Sequence, residues 1–191
     1  ELLDLARIEA RRDKDFRYPR VEVQALVAAV VKALQLPADR TTPQLDMPAD
    51  PLYLMADAGK LRQAITNVLS NAYKYSPAGG PVHIKAASKD EDGQTPQVCI
   101  EVTDAGIGMT PAQLARVCER FYRADSSGKI SGTGLGMSIV REIVDLHRGA
   151  LNLNSTPGQG TQVSLCLPSY SASQGVFEAS PPANLDPRKP A

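Results

Sequence analysis

Gly59 to Tyr75, GKLRQAITNVLSNAYKY, carries the most informative residue pattern in the chain, because as a helix it has two distinct faces. Its apolar residues recur at helical spacing and predict one buried stripe: Leu61, Ile65, Val68, Leu69 and Ala72. Its polar residues line another face: Asn67, Asn71, Lys74 and Tyr75. Amide oxygens suit Mg²⁺ and a lysine ammonium suits a phosphate, so this face predicts either a phosphate and metal site or an ordinary solvated surface.

The segments on either side of this helix show both helical and strand patterns. Helices are predicted from about Glu22 to Gln35, before Pro37, and from Leu135 to Leu146. Alternating or short apolar runs predict strands at Leu52–Met55, Val82–Ala86 and Gln97–Thr103, and on both sides of the turn Thr156-Pro157-Gly158. The order of elements predicts an α+β fold, a two-layer sandwich of a mixed β-sheet with helices on one face.

Length and composition fit one soluble globular domain with extensions. The chain has 191 residues, of which 42% are hydrophobic and 22% charged. Residues 21–168 are predicted to form the domain, preceded by a helix end and linker at 1–20. Residues 169–191, rich in Pro, Ser and Ala, predict a disordered tail. The chain starts at Glu1 rather than Met, which suggests a piece of a longer protein.

Charge and cysteine content argue against several classes of function. The net charge of zero disfavours bulk electrostatic binding of nucleic acid or an acidic membrane. No apolar run approaches the ~20 residues that a membrane span needs. The widely spaced Cys99, Cys118 and Cys166 form no CxxC pair, so they predict reduced, packed thiols rather than a zinc site or a disulfide framework.

Two glycine-containing segments add possible ligand contacts. Asp104-Ala105-Gly106-Ile107-Gly108 follows a predicted strand, so its carboxylate could accept the exocyclic amino group of adenine while the glycines let the backbone approach the ring; a plain turn is the alternative. Gly132-Thr133-Gly134-Leu135-Gly136 opens a helix and would expose backbone N–H groups toward an anion. It matches neither the P-loop nor the dinucleotide-binding pattern.

In this order and spacing, the segments resemble the catalytic and ATP-binding domain of bacterial sensor histidine kinases, within the larger family that includes DNA gyrase and heat-shock chaperone ATPases. The resemblance rests on four boxes and a closing segment: an N box at Asn67–Pro77, a G1 box at Asp104–Met109, an F box at Glu119–Arg123, a G2 box at Gly132–Met137, and Gly158–Thr161. It covers roughly Arg20 to Pro168 and implies the Bergerat-type ATP-binding fold. Residues 1–10 look like the tail of a preceding dimerisation helix.

The resemblance implies how ATP and Mg²⁺ would be held. Asn71 would coordinate Mg²⁺, with Asn67 on the same ion or on the phosphates, and Lys74 would contact the phosphates. A mobile lid from Met109 to Ser131 would bring Arg120 and Arg123 to the phosphates, and Phe121 would pack the lid down. The G2 segment would cradle the phosphates through Gly132, Thr133, Gly134, Leu135 and Gly136.

The resemblance also implies how the adenine would be recognised. Asp104, supported by Thr161, would bind the adenine beside Gly106 and Gly108. Tyr75 would contact the adenine or the ribose.

Residue 67 bears on the reaction. Hydrolysing relatives carry a Glu there to activate water, whereas the neutral amide of Asn67 cannot act as a general base. The sequence therefore predicts a protein histidine kinase that transfers the γ-phosphoryl group. An ATP-hydrolysing relative and a nucleotide-binding regulatory module without transfer are the alternatives, and the helix remnant at residues 1–10 argues against a serine-phosphorylating anti-sigma kinase.

The partners follow from the same resemblance. Neither His83 nor His147 fits the role of phosphoacceptor, and structural roles are expected for both. The acceptor would be a histidine on the dimerisation domain of the same protein, upstream of Glu1. A response regulator receiver domain would be the second partner. The parent protein is expected to be a cytoplasmic homodimer, with or without a membrane anchor, that does not bind nucleic acid.

Overall fold

The computed structural model describes residues 18–36, 39–77, 79–90, 95–124 and 132–170. Outside these ranges lie the predicted helix end before Tyr18, Pro37, residues 125–131 of the predicted lid, and the predicted tail beyond Tyr170. In chain order the elements are β1 (Arg20–Glu22), α1 (Val23–Ala33), β2 (Gln44–Asp46), β3 (Tyr53–Met55), α2 (Ala58–Lys74), β4 (Val82–Lys89), β5 (Gln97–Asp104), α3 (Pro111–Arg116), α4 (Gly136–Leu146), β6 (Ala150–Thr156) and β7 (Gly160–Pro168).

Five of the strands form one mixed sheet in the order β2-β4-β5-β7-β6. The β2–β4 pair is parallel, and the other pairs are antiparallel. In the β5–β7 register Asp104 lies opposite Thr161, which places both residues at the same end of the sheet. Strands β1 and β3 form a separate antiparallel pair.

Helix α2 forms where its residue pattern predicts it. Asp57 caps the first turn, because its side chain accepts a hydrogen bond from the Lys60 amide at 3.0 Å. The predicted apolar stripe is buried, and Leu61, Ile65 and Leu69 are fully inaccessible. Each such side chain contributes roughly 1.5–3 kcal/mol through its removal from water.

The helices cover one face of the sheet. Helix α2 packs against α1, α4 and β5, and α4 also packs against β6 and β7. On β5 the residues Val98, Ile100 and Val102 are buried, while the alternate residues are partly exposed on the other face. The predicted α+β sandwich is therefore confirmed.

Three short elements were not predicted by the sequence patterns. Strands β1 and β2 have three residues each, too few for an alternation to be recognised. Helix α3 has six residues and is held by a capping box between Thr110 and Gln113. Among the described residues, no helix is long and apolar enough to cross a bilayer.

The chain enters and leaves the described structure at neighbouring points. The Arg20 guanidinium lies over the rings of Tyr53 and Tyr170, 4.4 and 5.7 Å from their centroids. The Tyr170 amide donates to the Tyr53 carbonyl at 2.8 Å, and Ser169 bridges to Leu54. Arg20 at one end and Ser169–Tyr170 at the other therefore clamp the strand β3.

The prediction of three reduced cysteines is wrong for two of them. Cys99 on β5 and Cys166 on β7 are opposite each other, with Cα atoms 4.0 Å apart, and form a disulfide. Their sequence separation of 67 concealed this pairing, because sequence spacing does not reveal the register of two strands. Cys118 is a free, half-buried thiol, as predicted.

His147 has the structural role that the sequence predicts. It follows α4 and is 5% exposed. Its Nε2 accepts a hydrogen bond from the Asp57 amide at 3.0 Å, so Nδ1 carries the proton and donates to the Ile143 carbonyl at 2.7 Å. The Tyr18 ring packs on it at 4.9 Å. The neutral imidazole thus joins the end of α4 to the cap of α2.

We expect this histidine to make stability depend on pH. Burial lowers the pKa of His147 below its usual value, although the bond to Ile143 and the charge of Asp57 raise it. The unfolded chain therefore binds the proton first as the pH falls. The free energy of unfolding should be fully retained above about pH 6.5 and should fall below it, by at most about 1.4 kcal/mol per pH unit.

Urea unfolding between pH 5 and 8 measures this slope. His147→Gln should flatten the curve over this range. His83→Gln replaces the other histidine, which is exposed on β4, and should keep the slope of the parent. A parent-like slope in His147→Gln would contradict the assignment.

Candidate functional site

The polar face of α2 lies against the start of α4. Asn67 donates from Nδ2 to the Gly136 carbonyl at 3.4 Å. A Cβ built on Gly132 would lie 2.4 Å from Lys74 Nζ, and one on Gly136 would lie 3.8 Å from Asn71 Nδ2. The two segments predicted to bind phosphates and metal are thus brought together.

The end of α2 also meets the turn after β5. The Ile107 amide donates to the Tyr75 carbonyl at 2.9 Å. A Cβ on Gly106 would lie 2.3 Å from the same carbonyl oxygen and 2.8 Å from Ser76 Oγ. Lys74 Nζ lies 5.4 Å from the centroid of the Tyr75 ring. The polar face of α2 therefore adjoins the Asp104–Gly108 segment.

Asp104 is a buried carboxylate at the end of β5, and 9% of it is exposed. Its Oδ1 accepts hydrogen bonds from the Gly106 amide at 2.8 Å and the Thr161 amide at 3.3 Å. Burial raises the pKa of Asp104, and these two backbone donors lower it. Both donors use Oδ1, which leaves Oδ2 as the oxygen that can accept a hydrogen bond from a ligand.

Thr161 reaches Asp104 through its backbone rather than its hydroxyl. The Thr161 hydroxyl lies 2.9 Å from Ser155 Oγ. Ser155 Oγ is also within hydrogen-bond distance of the Met109 amide, at 2.9 Å, and of the Gly160 carbonyl, at 3.0 Å. Ser155 therefore ties β6, β7 and the G1 segment together beside the carboxylate.

The glycines of the G1 segment make room for the protein's own backbone. Besides the contacts of Gly106, a Cβ on Gly108 would lie 1.9 Å from the Thr156 carbonyl oxygen. The sequence predicts that these glycines allow a close approach of the adenine. The structure shows that packing within the protein already requires them.

The F box contacts the G2 segment through its backbone. The Phe121 amide donates to the Gly134 carbonyl at 3.0 Å. Phe121 has a φ of 65° and is 62% exposed. The expectation that this ring packs the lid down does not match the structure, because the aromatic side chain faces solvent.

The two arginines assigned to the lid, Arg120 and Arg123, lie in different surroundings. Arg120 Nη2 lies 3.6 Å from Glu142 Oε2 on α4. Glu142 is 9% exposed, and its other oxygen has no hydrogen-bond partner among the described residues. Arg123 is half-buried in the turn that follows Phe121. Arg120 is thus held by an acidic residue of α4.

The G2 segment can offer a ligand mainly backbone groups. The Leu135 side chain is 2% exposed and belongs to the core. Thr133 is exposed, and its Oγ1 accepts from the Leu135 amide at 3.4 Å. Peptide N–H groups near the start of α4 remain suited to an anion.

Sequence reasoning missed three residues that support the site: Ser155, Glu142 and Arg40. Ser155 lies within a strand and Glu142 within a helix, where neither spacing nor composition distinguishes them. Arg40 lies in an irregular segment, yet its guanidinium binds the carbonyl of Ser76. Only the tertiary structure brings these residues to the site.

Known proteins resemble the chain in sequence. A profile of the family described as histidine kinase-, DNA gyrase B-, and HSP90-like ATPase matches residues 56–171. The sensor-like histidine kinase SenX3 of Mycolicibacterium smegmatis is 36% identical over 89% of this chain and 44% of its own length. The phosphate regulon sensor protein PhoR of Pseudomonas aeruginosa is 37% identical over 84% of this chain and 36% of its own. The chain spans less than half the length of these curated relatives.

Solved structures are similar as well. The mycobacterial sensor histidine kinase MprB superposes with a TM-score of 0.67 at 28% identity, over 79% of this chain and 98% of that one. Full-length ShkA in complex with AMPPNP gives a TM-score of 0.71 at 27% identity, over 90% of this chain and 35% of that one.

Proposed function

Because the chain belongs to the histidine kinase-, DNA gyrase B- and HSP90-like ATPase family, we propose that it binds ATP with Mg²⁺ and donates the γ-phosphoryl group to a histidine of a dimerisation domain. The observation that carries this proposal is Asp104. Its carboxylate is buried next to the turn that follows α2. Oδ1 accepts two backbone hydrogen bonds, and Oδ2 can accept one from a ligand. This arrangement suits recognition of the exocyclic amine of adenine.

The polar face of α2 supports a magnesium–phosphate site. Among the described residues there is no group of three or more His, Cys, Asp or Glu side chains that could hold a metal. Asn67 and Asn71 instead offer amide oxygens, which are the hard ligands that Mg²⁺ prefers. Asn67 uses its Nδ2 toward Gly136, so its Oδ1 is available to the ion or to a phosphate. Mg²⁺ held there would neutralise phosphate charge.

The cations around this face suit phosphoryl transfer. We assign Lys74 to the phosphates, because its ammonium lies against the backbone of Gly132. We assign Arg120 and Arg123 the same role once the lid closes, which requires Arg120 to leave Glu142. Phosphoryl transfer depends mainly on positioning and charge neutralisation, so a site without its own base is sufficient. The bond from the γ-phosphorus to the bridging oxygen breaks, a bond to the imidazole nitrogen forms, and ADP leaves.

Neither of the two histidines in the chain suits the role of phosphoacceptor. His147 is buried, and both of its ring nitrogens are in hydrogen bonds. His83 is on the face of β4 opposite to the helices. We therefore assign the acceptor to a dimerisation domain of the parent protein, which we propose to be a cytoplasmic homodimer, and the onward transfer to a response regulator receiver domain.

A labelling experiment tests this function. The chain is incubated with γ-labelled ATP, Mg²⁺ and a histidine-containing dimerisation domain supplied by its parent protein. We expect an acid-labile, base-stable label on that domain. Asn71→Ala should slow the labelling at least about 100-fold, because it removes the amide oxygen assigned to Mg²⁺ and thereby weakens neutralisation of the charge in the transition state.

Ser70→Ala is the matched control, since Ser70 is the exposed neighbour of Asn71 on the same helix. It should label at the rate of the parent. Steady release of phosphate without labelling would instead favour the ATP-hydrolysing alternative. Nucleotide binding with neither labelling nor phosphate release would favour the nucleotide-binding regulatory module without transfer. Absence of nucleotide binding would refute all three functions.

A further inference from the structure

The last turn of α2 is held from outside the helix by Arg40. The Arg40 guanidinium donates to the Ser76 carbonyl and, at 3.5 Å, to the Tyr73 carbonyl. The Tyr73 hydroxyl donates in return to the Thr41 carbonyl at 2.8 Å. Carbonyls at a helix C-terminus lack partners within the helix and carry partial negative charge, so a guanidinium is well suited to them.

The turn after α2, formed by Tyr75 and Ser76, packs against the segment that follows Asp104. In the sequence, Tyr75 lies between Tyr73 and Ser76, the two residues whose carbonyls Arg40 contacts. The Tyr75 carbonyl accepts a hydrogen bond from the Ile107 amide at 2.9 Å. Ser76 is 2% exposed and donates from Oγ to the Ala72 carbonyl at 2.7 Å. Gly106 fits against this turn with no room for a side chain. The position of Tyr75 and Ser76 therefore sets the position of Gly106 and Ile107.

The same segment orients the carboxylate. Gly106 donates to Asp104 Oδ1 at 2.8 Å, which is the shorter of the two bonds to that oxygen. A shift of the Gly106 amide would rotate the carboxylate and displace Oδ2. The contacts thus run from Arg40 through the Tyr75–Ser76 carbonyls and Gly106 to the oxygen that is assigned to the base.

We infer that Arg40 is a positioning residue for base recognition: it fixes the turn after α2 and thereby the Asp104 carboxylate that reads the exocyclic amine. This inference rests on the proposed function. Arg40 affects recognition of the base and not of the phosphates, because it contacts the turn that supports Asp104. Asn67 and Lys74 instead lie against the G2 segment.

The test compares two nucleotides that differ at the recognised position. Inosine triphosphate has a carbonyl where ATP has the exocyclic amine, so the ratio of their dissociation constants with Mg²⁺ measures base recognition. Arg40→Met should weaken ATP binding about tenfold and leave inosine triphosphate within about twofold, since the lost charge-assisted contacts support only the end of the site that is assigned to the base. Arg40→Lys should give an intermediate ratio, because lysine keeps the charge but not the fork.

Arg62→Met is the matched control, because Arg62 is an exposed arginine in the first turns of α2. It should keep the ratio of the parent. Amide hydrogen exchange gives a second readout: Ile107 N–H should exchange faster in Arg40→Met, while the Asn67-containing centre of α2 stays protected. This difference separates a local effect on the turn from general destabilisation.

The outcomes separate this inference from the proposed function. A folded Arg40→Met with the parent's ratio and parent-like exchange at Ile107 would overturn the inference. If Arg40→Met does not fold, Arg40→Lys decides, and a parent-like ratio there overturns the inference too. A parent chain that binds inosine triphosphate as tightly as ATP would instead refute the role of Asp104 in the proposed function.

Discussion

Asp104→Asn is expected to weaken ATP binding at least about 100-fold without destabilising the fold. The asparagine carbonyl can keep the bonds from the Gly106 and Thr161 amides, because both use Oδ1. Its Nδ2 then takes the place of Oδ2 and presents a donor to the amine of adenine, which is itself a donor. ATP affinity is therefore lost because two hydrogen-bond donors face each other, and not because the substitution leaves a cavity.

The same substitution has a defined effect on stability. Burial raises the pKa of Asp104 in the folded state, so its stabilising contribution is present at low pH and is lost as the pH rises through the folded pKa. The ionised carboxylate therefore costs stability at neutral pH. Asp104→Asn should unfold at an equal or higher urea concentration than the parent at pH 7.

Glu101→Gln is the control, since it makes the same chemical change three residues earlier on β5. It should leave the ATP dissociation constant unchanged. Isothermal titration with Mg–ATP and urea unfolding at pH 7 measure the two effects. An Asp104→Asn variant that binds ATP like the parent would refute the assignment of the base site.

Gly160→Ala is expected to lower the free energy of unfolding by about 3–5 kcal/mol and to abolish ATP binding. Gly160 has a φ of 95°, and a Cβ there would lie 1.9 Å from the Asp104 carbonyl oxygen. The backbone of β5 or β7 must move to relieve this overlap. Because Thr161 follows directly, the shift removes its hydrogen bond to the carboxylate.

Gly158→Ala separates the two destabilising effects of Gly160→Ala, which are the left-handed backbone and the overlap with the Asp104 carbonyl. Gly158 has a φ of 76° in the same turn, but a Cβ there meets no atom within 4 Å. It should lose only about 1–2 kcal/mol for the left-handed backbone and should bind ATP normally. Equal losses for the two variants, measured by urea unfolding, would show that the contact with Asp104 is not the cause.

The elements with strong periodicity could be predicted from the sequence. The stripe of α2 and the alternation on β5 place apolar groups on one face, and burial of that face is what forms the core. Asn67, Asn71, Lys74 and Asp104 were assigned to a ligand site from the order and spacing of their segments, and this assignment stays a prediction. The fold brings Asn67, Asn71 and Lys74 beside the G2 segment and the end of α2 beside the segment that follows Asp104.

The remaining features depend on register and on long-range contacts. Cys99 and Cys166 meet only because β5 and β7 pair in one register, which no local pattern specifies. The ion pair of Arg120 with Glu142 joins two separate elements through their tertiary packing. The exposed Phe121 differs from the expectation of a packed ring, and its φ of 65° is a backbone conformation that no local sequence pattern indicates.

The clamp of Arg20 and Tyr170 on Tyr53 has a mechanical consequence. Arg20 and Tyr170 lie beside the same short strand, so tension applied between these two residues is first borne by the contacts around β3. These contacts lie at the periphery of the five-stranded sheet. Force applied through the two ends would therefore break the contacts around β3 before it reaches the strand ends that carry Asp104 and Thr161.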